Sequence, residues 1–271
     1  MSAKNLIVRP IPYAMAYAFV VRHHYSHKSK RNSQLHFGVF WARKLCGAIV
    51  LGPPLDRRKL IGLVADTAWN GFMELNRMVL TDECPRNSES RALAVVLRWM
   101  RKYRPDIEWV VSFADACQCG DGAIYRACGF ALTAVKRNRA VLRQADGKVV
   151  HKMAQVTGRD AAAHLAATGG AWNGIGTPLS GFQIRYIYFL NPAARSRLTV
   201  PELPYSAITD AGASMYRGCA GHPTVKMRGD QPRHAGANPS PALQSPVPTE
   251  IGDESPVPLA REREPARANP A

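Results

Sequence analysis

Residues 110–130 read VVSFADACQCGDGAIYRACGF. An apolar run with the composition of a buried strand passes through a polar, glycine-bearing bend. It then enters a short helix, residues 122–128, that Gly129 closes as a C-cap. Chemistry collects at such junctions, because the strand fixes the backbone while the free N–H groups of the new helix point into the gap. Asp115 and Tyr125 stand on either side of the bend.

Working outward, residues 72–80 (FMELNRMVL) alternate as a strand, with Glu74, Asn76 and Met78 on one face and Arg77 on the other among apolar neighbours. An arginine so placed calls for an anionic partner, either a carboxylate of the protein or a phosphate of a ligand. After a polar connector, Asn87 or Ser88 can cap a helix over 89–103, in which Leu93, Val96, Leu97 and Met100 fall at helical spacing. The start of that helix, with Arg86, Ser88 and Ser90, offers amides, hydroxyls and a guanidinium to an anion. Residues 107–113 form the strand that leads into the opening stretch.

Nearer the N-terminus, a breaker-free helix over 13–22 runs into His23-His24-Tyr25-Ser26-His27, then Lys28, Lys30 and Arg31. Three imidazoles and a phenol within five residues read equally as a solvated loop or as a metal or acid–base site. Residues 35–41 and 45–51 pair as a hairpin, and Arg57, Arg58 and Lys59 form a basic cluster on the loop that follows. Beyond Gly129, residues 130–135 form a strand and 140–144 with 148–153 a hairpin about Asp146-Gly147. A helix over 159–164, a glycine-rich loop over 169–181, a strand over 183–190 and an extended segment over 201–204 complete the ordered part.

The net charge is +16, yet residues 221–271 carry six basic and six acidic side chains, so the whole excess lies in residues 1–220. A basic body of this kind is a partner for polyanions, most often nucleic acid. Half of the 20 prolines fall in 221–271, in a composition that cannot bury enough apolar surface to order itself. The expected division is a domain over 1–200, an extended linker over 201–220 and a disordered tail over 221–271. No apolar run approaches the ~20 residues a membrane helix needs, and the N-terminus lacks the layout of a secretion signal. The expectation is therefore a chain without a membrane partner, in a reducing compartment, with free thiols. Cys117 and Cys119 near the bend read as metal ligands or, more commonly for such cysteines, as small core residues.

The order of elements resembles the GCN5-related N-acetyltransferase fold, an α/β architecture with a mixed, mostly antiparallel sheet flanked by helices. The segment Gly122-Ala-Ile-Tyr125-Arg-Ala-Cys-Gly129-Phe130 is similar to that family's G-x-x-Y-x-x-x-G-F segment, in which the tyrosine protonates the departing coenzyme A thiolate. The family's glycine-bearing pyrophosphate turn is absent, since the connector reads Pro85-Arg-Asn-Ser-Glu-Ser90. A narrower resemblance spans residues 5–190. His24-Tyr25-Ser26-His27-Lys28, Glu74-Leu-Asn-Arg77-Met, Arg86-Asn-Ser-Glu-Ser90 and Ser112-Phe-Ala-Asp115 with Tyr125 look like the Mom-type DNA-modification proteins of bacteriophages.

That resemblance implies an enzyme that converts adenine in double-stranded DNA to N6-carbamoylmethyladenine, shielding phage DNA from restriction in the bacterial host cytoplasm. It implies iron, with His24, Tyr25, Asp115 and Tyr125 as the candidate metal and catalytic set. It also implies acetyl-CoA or a related acyl-CoA, with Arg77 and Ser90 in its pocket, joined on physical grounds by Arg86 and Ser88. Tyr125 keeps three readings: iron ligand, proton donor to a thiolate, or packing residue. Candidate phosphate contacts are Lys28, Lys30, Arg31, Arg57, Arg58, Lys136, Arg137 and Arg139, with Trp69 and Trp172 as stacking groups and Trp41 more at home in the core. A homodimer is compatible with the sequence. The product has N6 bonded to a CH2, which plain acyl transfer cannot make, so a methyl carbon must be activated. Two rivals remain at this stage: an acetyl-CoA-dependent N-acetyltransferase acting on a small molecule or protein, and a non-enzymatic basic DNA-binding regulator.

Overall fold

The computed structural model describes residues 3–157, 161–169, 174–216 and 219–220. The expectations for Arg159, Trp172 and residues 221–271 lie outside these. A 3-10 turn (Ala3–Asn5) leads to β1 (Ile7–Pro10), α1 (Tyr13–His23), β2 (Leu35–Trp41), β3 (Lys44–Gly52), α2 (Arg57–Ile61) and β4 (Phe72–Leu80). Then come α3 (Ser88–Tyr103), β5 (Trp109–Asp115), α4 (Ala123–Ala127) and β6 (Ala131–Arg137). A small three-stranded sheet is built from β7 (Val141–Arg143), β8 (Val149–His151) and, after α5 (Lys152–Thr157) and α6 (Ala161–Ala167), β9 (Thr177–Pro178). The strand β10 (Phe182–Phe189), a 3-10 turn (Pro192–Arg197), α7 (Ser206–Asp210), β11 (Met215–Tyr216) and β12 (Cys219–Ala220) follow.

The main sheet runs β1-β2-β3-β4-β5-β10-β6. Every pair in it is antiparallel except β4 with β5, and that parallel pair holds only for Phe72↔Trp109, Met73↔Val110 and Glu74↔Val111. Beyond those three positions the strands part, and the sheet opens. Their shared end is pinned from inside. The buried rings of Phe72 and Trp109 stack at 4.2 Å and 11°, and the Trp109 indole donates to Thr67 Oγ1 at 3.0 Å.

The helical spacing of α3 explains its seat. Ala92, Leu93, Val96, Leu97 and Met100 form one buried stripe against Met73, Leu75, Val110, Ala114 and Phe130. The other sheet face is covered in two places. Ala16 and Val20 of α1 pack on Ala48 and Val50, and Leu63, Val64 and Ala194 pack on Trp109, Val111 and Ile187. Burying each such aliphatic side chain contributes about 1.5–3 kcal/mol.

Several expectations change. The register of β3 and β4 shifts between Val50 and Leu51, leaving Asn76 as the extra residue of a bulge. Arg77 consequently meets the loop that follows α1, its Nε donating to the Lys28 carbonyl at 2.8 Å, instead of lying among apolar neighbours. The basic stretch at 57–59 is a short helix capped by Asp56, whose side chain accepts from the Lys59 amide at 3.2 Å. Residues 201–214 are not an extended linker. Leu203 bridges to Leu132, the Tyr205 hydroxyl donates to the Phe130 carbonyl at 2.6 Å, and Ile208 and Ala213 are buried in the main core. Asn87 occupies the N-cap of α3 with a left-handed backbone (φ 68°) and no capping side-chain bond, while the Ser88 hydroxyl donates to the Pro85 carbonyl at 2.5 Å.

Gly122 begins α4 at φ +85°, where a Cβ would lie 2.5 Å from the Tyr186 ring and 2.9 Å from that of Tyr125. Gly122→Ala is therefore expected to lower unfolding free energy by about 2–4 kcal/mol in a denaturant titration, through backbone strain plus ring displacement.

Candidate active site

The loop after α1 crosses the opened sheet and brings two distant segments together. The Tyr25 hydroxyl points at Asp115 Oδ2, 3.5 Å away across 90 positions of sequence. Asp115 ends β5 and is held firmly. Its Oδ1 accepts from the Cys117 amide (3.1 Å) and from Gln183 Nε2 (2.8 Å), and its Oδ2 from Gln118 Nε2 (2.8 Å). These donors hold the carboxylate in one orientation. Gln118 and Gln183 carry no signal in the sequence that separates them from surface amides. Only the pairing Gln183↔Asp115 between β10 and β5 reveals the role of Gln183.

His24 is buried beside Tyr25, their rings 4.3 Å apart, and its Nδ1 lies 2.8 Å from Ser26 Oγ and 3.1 Å from the Ser26 amide. Burial, with Arg77 and His27 adding repulsion, pushes its pKa down to about 4, so the ring is neutral at pH 7. Burial and the Asp115 charge push the Tyr25 phenol upward. The neighbouring histidines turn elsewhere: His23 packs on Phe19 at 4.5 Å, and His27 Nδ1 lies 3.0 Å from the Val21 carbonyl. His151, at the end of β8, feels Asp115, Arg77 and Lys30 and so belongs to the same surroundings. Its distance in sequence hides this.

Two contacts tether the loop to β4. One is Arg77 to the Lys28 carbonyl, and Arg77 also donates from Nη1 to the Asn76 carbonyl at 2.6 Å. The other is Lys30 Nζ on both oxygens of Glu74 at 3.1 Å, a half-buried pair. Lys30 is thus an internal ion-pair partner and is removed from the candidate phosphate contacts. The two backbone carbonyls, rather than a carboxylate, are the recorded partners of Arg77.

Tyr125 approaches from the α3 side of the sheet. It packs on Phe130 and Tyr186 at 5.3 and 5.2 Å, beside the buried Ser112 hydroxyl, and hydrogen-bonds to none of His24, Tyr25 and Asp115. Burial pushes its phenol up to about 12, which keeps it protonated. Cys128 donates to the Ser90 carbonyl at 3.2 Å and ties α4 to the first turn of α3. Ser88, committed to Pro85, is not available to a cofactor as expected, whereas Arg86 is exposed and Ser90 Oγ makes only a 3.3 Å bond to the Asn87 carbonyl. Cys46, Cys84, Cys117, Cys119 and Cys128 are free thiols. Burial and Asp115 push Cys117 up to about 12 and raise Cys119.

Among the described residues no group of three or more His, Cys, Asp and Glu side chains is arranged to hold a metal ion. The imidazole, phenol and carboxylate of His24, Tyr25 and Asp115 nevertheless make a hard N/O set of the kind iron accepts. The Tyr25–Asp115 approach places two of these donors within reach of one ion.

The basic residues separate into groups. Lys28 and Arg31 are exposed on the loop, and Lys136, Arg137 and Arg139 are exposed at the end of β6 that pairs with the start of β10 beside Asp115. Arg57 is different: Nη1 donates to the Trp69 carbonyl and to Asn70 Oδ1 (2.7 Å), and the guanidinium lies 5.4 Å from both the Trp69 and Phe72 rings. Since Phe72 is level with Trp109, at the other end of β5, Arg57 and its neighbour Arg58 sit roughly 20 Å from Asp115 along the strand. They do not share its patch. No described helix is long and apolar enough to cross a membrane.

A sheet opened between two parallel strands, with a tyrosine on a short helix at one face and a basic loop across the other, defines an acetyltransferase-like architecture. The chain belongs to the Mom protein family, whose model matches residues 5–207. It is 37% identical over 201 residues to the methylcarbamoylase Mom of Escherichia phage Mu, covering 72% of this chain and 80% of that one. Among solved structures it is similar to NAA60 of Arabidopsis thaliana in complex with a bisubstrate analogue, with a TM-score of 0.44 and 8% identity over 68% of this chain and 98% of that one. A GNAT family acetyltransferase from Elizabethkingia anophelis with acetyl-CoA bound gives a TM-score of 0.37 and 11% identity over 69% and 99% of the two chains.

The depressed pKa of His24 has a measurable consequence. Between its ordinary value of 6.5 and about 4, the unfolded chain takes up a proton that the folded chain refuses, so stability rises with pH across that window. Acidification from pH 7 to pH 4.5 is expected to remove about 1–3 kcal/mol through this residue. Urea titrations at the two pH values should show a smaller loss in His24→Gln.

Proposed function

We propose that this chain modifies adenine in double-stranded DNA to N6-carbamoylmethyladenine, as a phage-encoded enzyme acting in its bacterial host. The observation that carries the reading is the Tyr25–Asp115 approach, because it places the segment following α1 against the end of β5 at the mouth of the opened sheet. The 37% identity with the phage Mu methylcarbamoylase supports it, as does the excess of positive charge confined to residues 1–220.

The roles divide by sheet face. An acyl-CoA fits the α3 side: the first-turn amides of a 16-residue helix suit its phosphates, Arg86 stands exposed beside them, and Tyr125, held protonated, can give its proton to a departing thiolate. On the opposite side His24, Tyr25 and Asp115 would hold iron. When bound, that ion supplies the redox chemistry needed to activate a methyl carbon. Asp115, fixed by three donors, keeps its orientation throughout and can take up the proton that N6 loses. Lys28, Arg31, Lys136, Arg137 and Arg139 supply phosphate contacts around this face. Inside the mouth His24 is neutral and Lys30 is paired with Glu74, while Arg77, bonded to two backbone carbonyls, keeps its charge beside them.

Co-expression with a plasmid, followed by digestion to nucleosides and mass spectrometry, tests the reading. The expected result is an adenosine carrying the carbamoylmethyl mass. Unmodified adenosine from folded, metal-supplemented protein would overturn it. Asp115→Asn preserves the Oδ1 that caps the turn, and it is expected to lower modification at least 100-fold while the melting curve stays close to that of the parent. A chain ending before Gly221 should unfold at the same denaturant concentration as the full chain, which would assign residues 221–271 a role outside the folded domain.

A further inference from the structure

Phe113 and Asn76 stand beside the opened sheet in opposite states of exposure. Phe113 lies within β5, a central strand, paired to Arg185 of β10, yet it is 39% exposed. Trp109 and Val111, on the same face of that strand, are fully covered by the second core cluster. The cover stops before Phe113, so an aromatic ring is left open on a sheet face two residues from Asp115. Asn76 presents the converse. It is only 4% exposed, and neither Oδ1 nor Nδ2 has a hydrogen-bond partner among the described residues. An unpaired amide at that depth is costly unless a ligand or water completes it. Asn76 and Phe113 each lie two residues beyond the last paired position, Glu74↔Val111, on the two strands that part there, and Asn76 Oδ1 lies beside Gly52 of β3. Ser29, between the two tethers of the overlying loop, also has a buried and unpartnered hydroxyl.

We propose that Phe113 and Asn76 form the pocket for an extruded purine base, Phe113 stacking on its face and the Asn76 carboxamide meeting its edge. This rests on the reading of the chain as a DNA adenine-modifying enzyme. The chemistry selects the ligand. A phosphate or carboxylate leaves Asn76 Oδ1 opposed by another acceptor, and a cation leaves Nδ2 unpaired. The adjacent N–H donor and ring-nitrogen acceptor of adenine satisfy both atoms at once, and asparagine is the side chain whose geometry matches that pair. An enzyme acting on a base inside a duplex must extrude it and hold it by stacking and edge contacts. Phe113 supplies the first beside Asp115, and Asn76 supplies the second. Both Asn76 atoms are sealed in the free protein, with Asn32 and Ser33 of the overlying loop beside them, so this loop lifts when the base enters.

The test uses the full chain and fluorescent duplexes in which one position, opposite an abasic site, is adenine, purine (lacking the 6-amino group) or a second abasic site. The parent is expected to bind the adenine duplex about tenfold more tightly than the doubly abasic one. Phe113→Ala should abolish that preference, and Phe113→Trp should restore it. Asn76→Leu should keep the preference for a base over none but lose the preference for adenine over purine. Salt dependence should be the same in all four proteins, since no phosphate contact is touched. Unchanged base preference in Phe113→Ala, or an unchanged adenine-to-purine ratio in Asn76→Leu, overturns the pocket, including the case where Asn76 holds only water. If the parent modifies plasmid adenine while both variants keep their preferences, the pocket alone fails. If the parent neither modifies DNA nor binds it, the proposed function fails and the pocket falls with it.

Discussion

The structure depends on where β4 and β5 cease to pair. Three residues of each strand are joined, locked from within by the Phe72–Trp109 stack, and then the strands part. A parallel pair continued to its full length would close the sheet and leave no mouth. The parting exposes backbone and side chains on both strands, which must be satisfied by something else. On one side α3 and α4 answer that need. On the other it falls to a loop without regular structure.

That division explains how one architecture takes on an unusual substrate. The α3 side keeps a phenol held in its protonated form and a helix start beside it, the pair proposed above to serve an acyl-CoA. The opposite side gathers a fixed carboxylate, a neutral buried imidazole and an exposed ring, with basic residues at the periphery. Basic side chains at the rim surround an interior in which Asp115 and Arg77 carry the remaining charges.

The elements were largely legible in the sequence, because local patterns determine them. Alternation over 72–80 and the spacing of Leu93, Val96, Leu97 and Met100 are properties of single segments. What was not legible is set by tertiary pairing. The bulge at Asn76 exists only against β3, and it reverses the side on which Arg77 emerges. Lys30 reads as a phosphate contact until Glu74, 44 positions later, is found beside it. Residues 201–214 read as linker because their few apolar side chains show no period, yet Ile208 and Ala213 are buried. Of the site, the Tyr25–Asp115 approach entered through resemblance alone, for no periodicity spans 90 residues. Tyr125 was expected with that pair; its ring packs on Phe130 and Tyr186 on the α3 side, and Tyr25 feels its phenol.

The loop over residues 24–33 owes its place to an ion pair, a guanidinium–carbonyl bond and a phenol–carboxylate contact, not to the packed core. Apart from the buried His24, changes at its exposed positions therefore cost folding less than changes at the core positions of 109–114. Substitutions at the loop's exposed positions can alter what it meets at little cost to the sheet behind it.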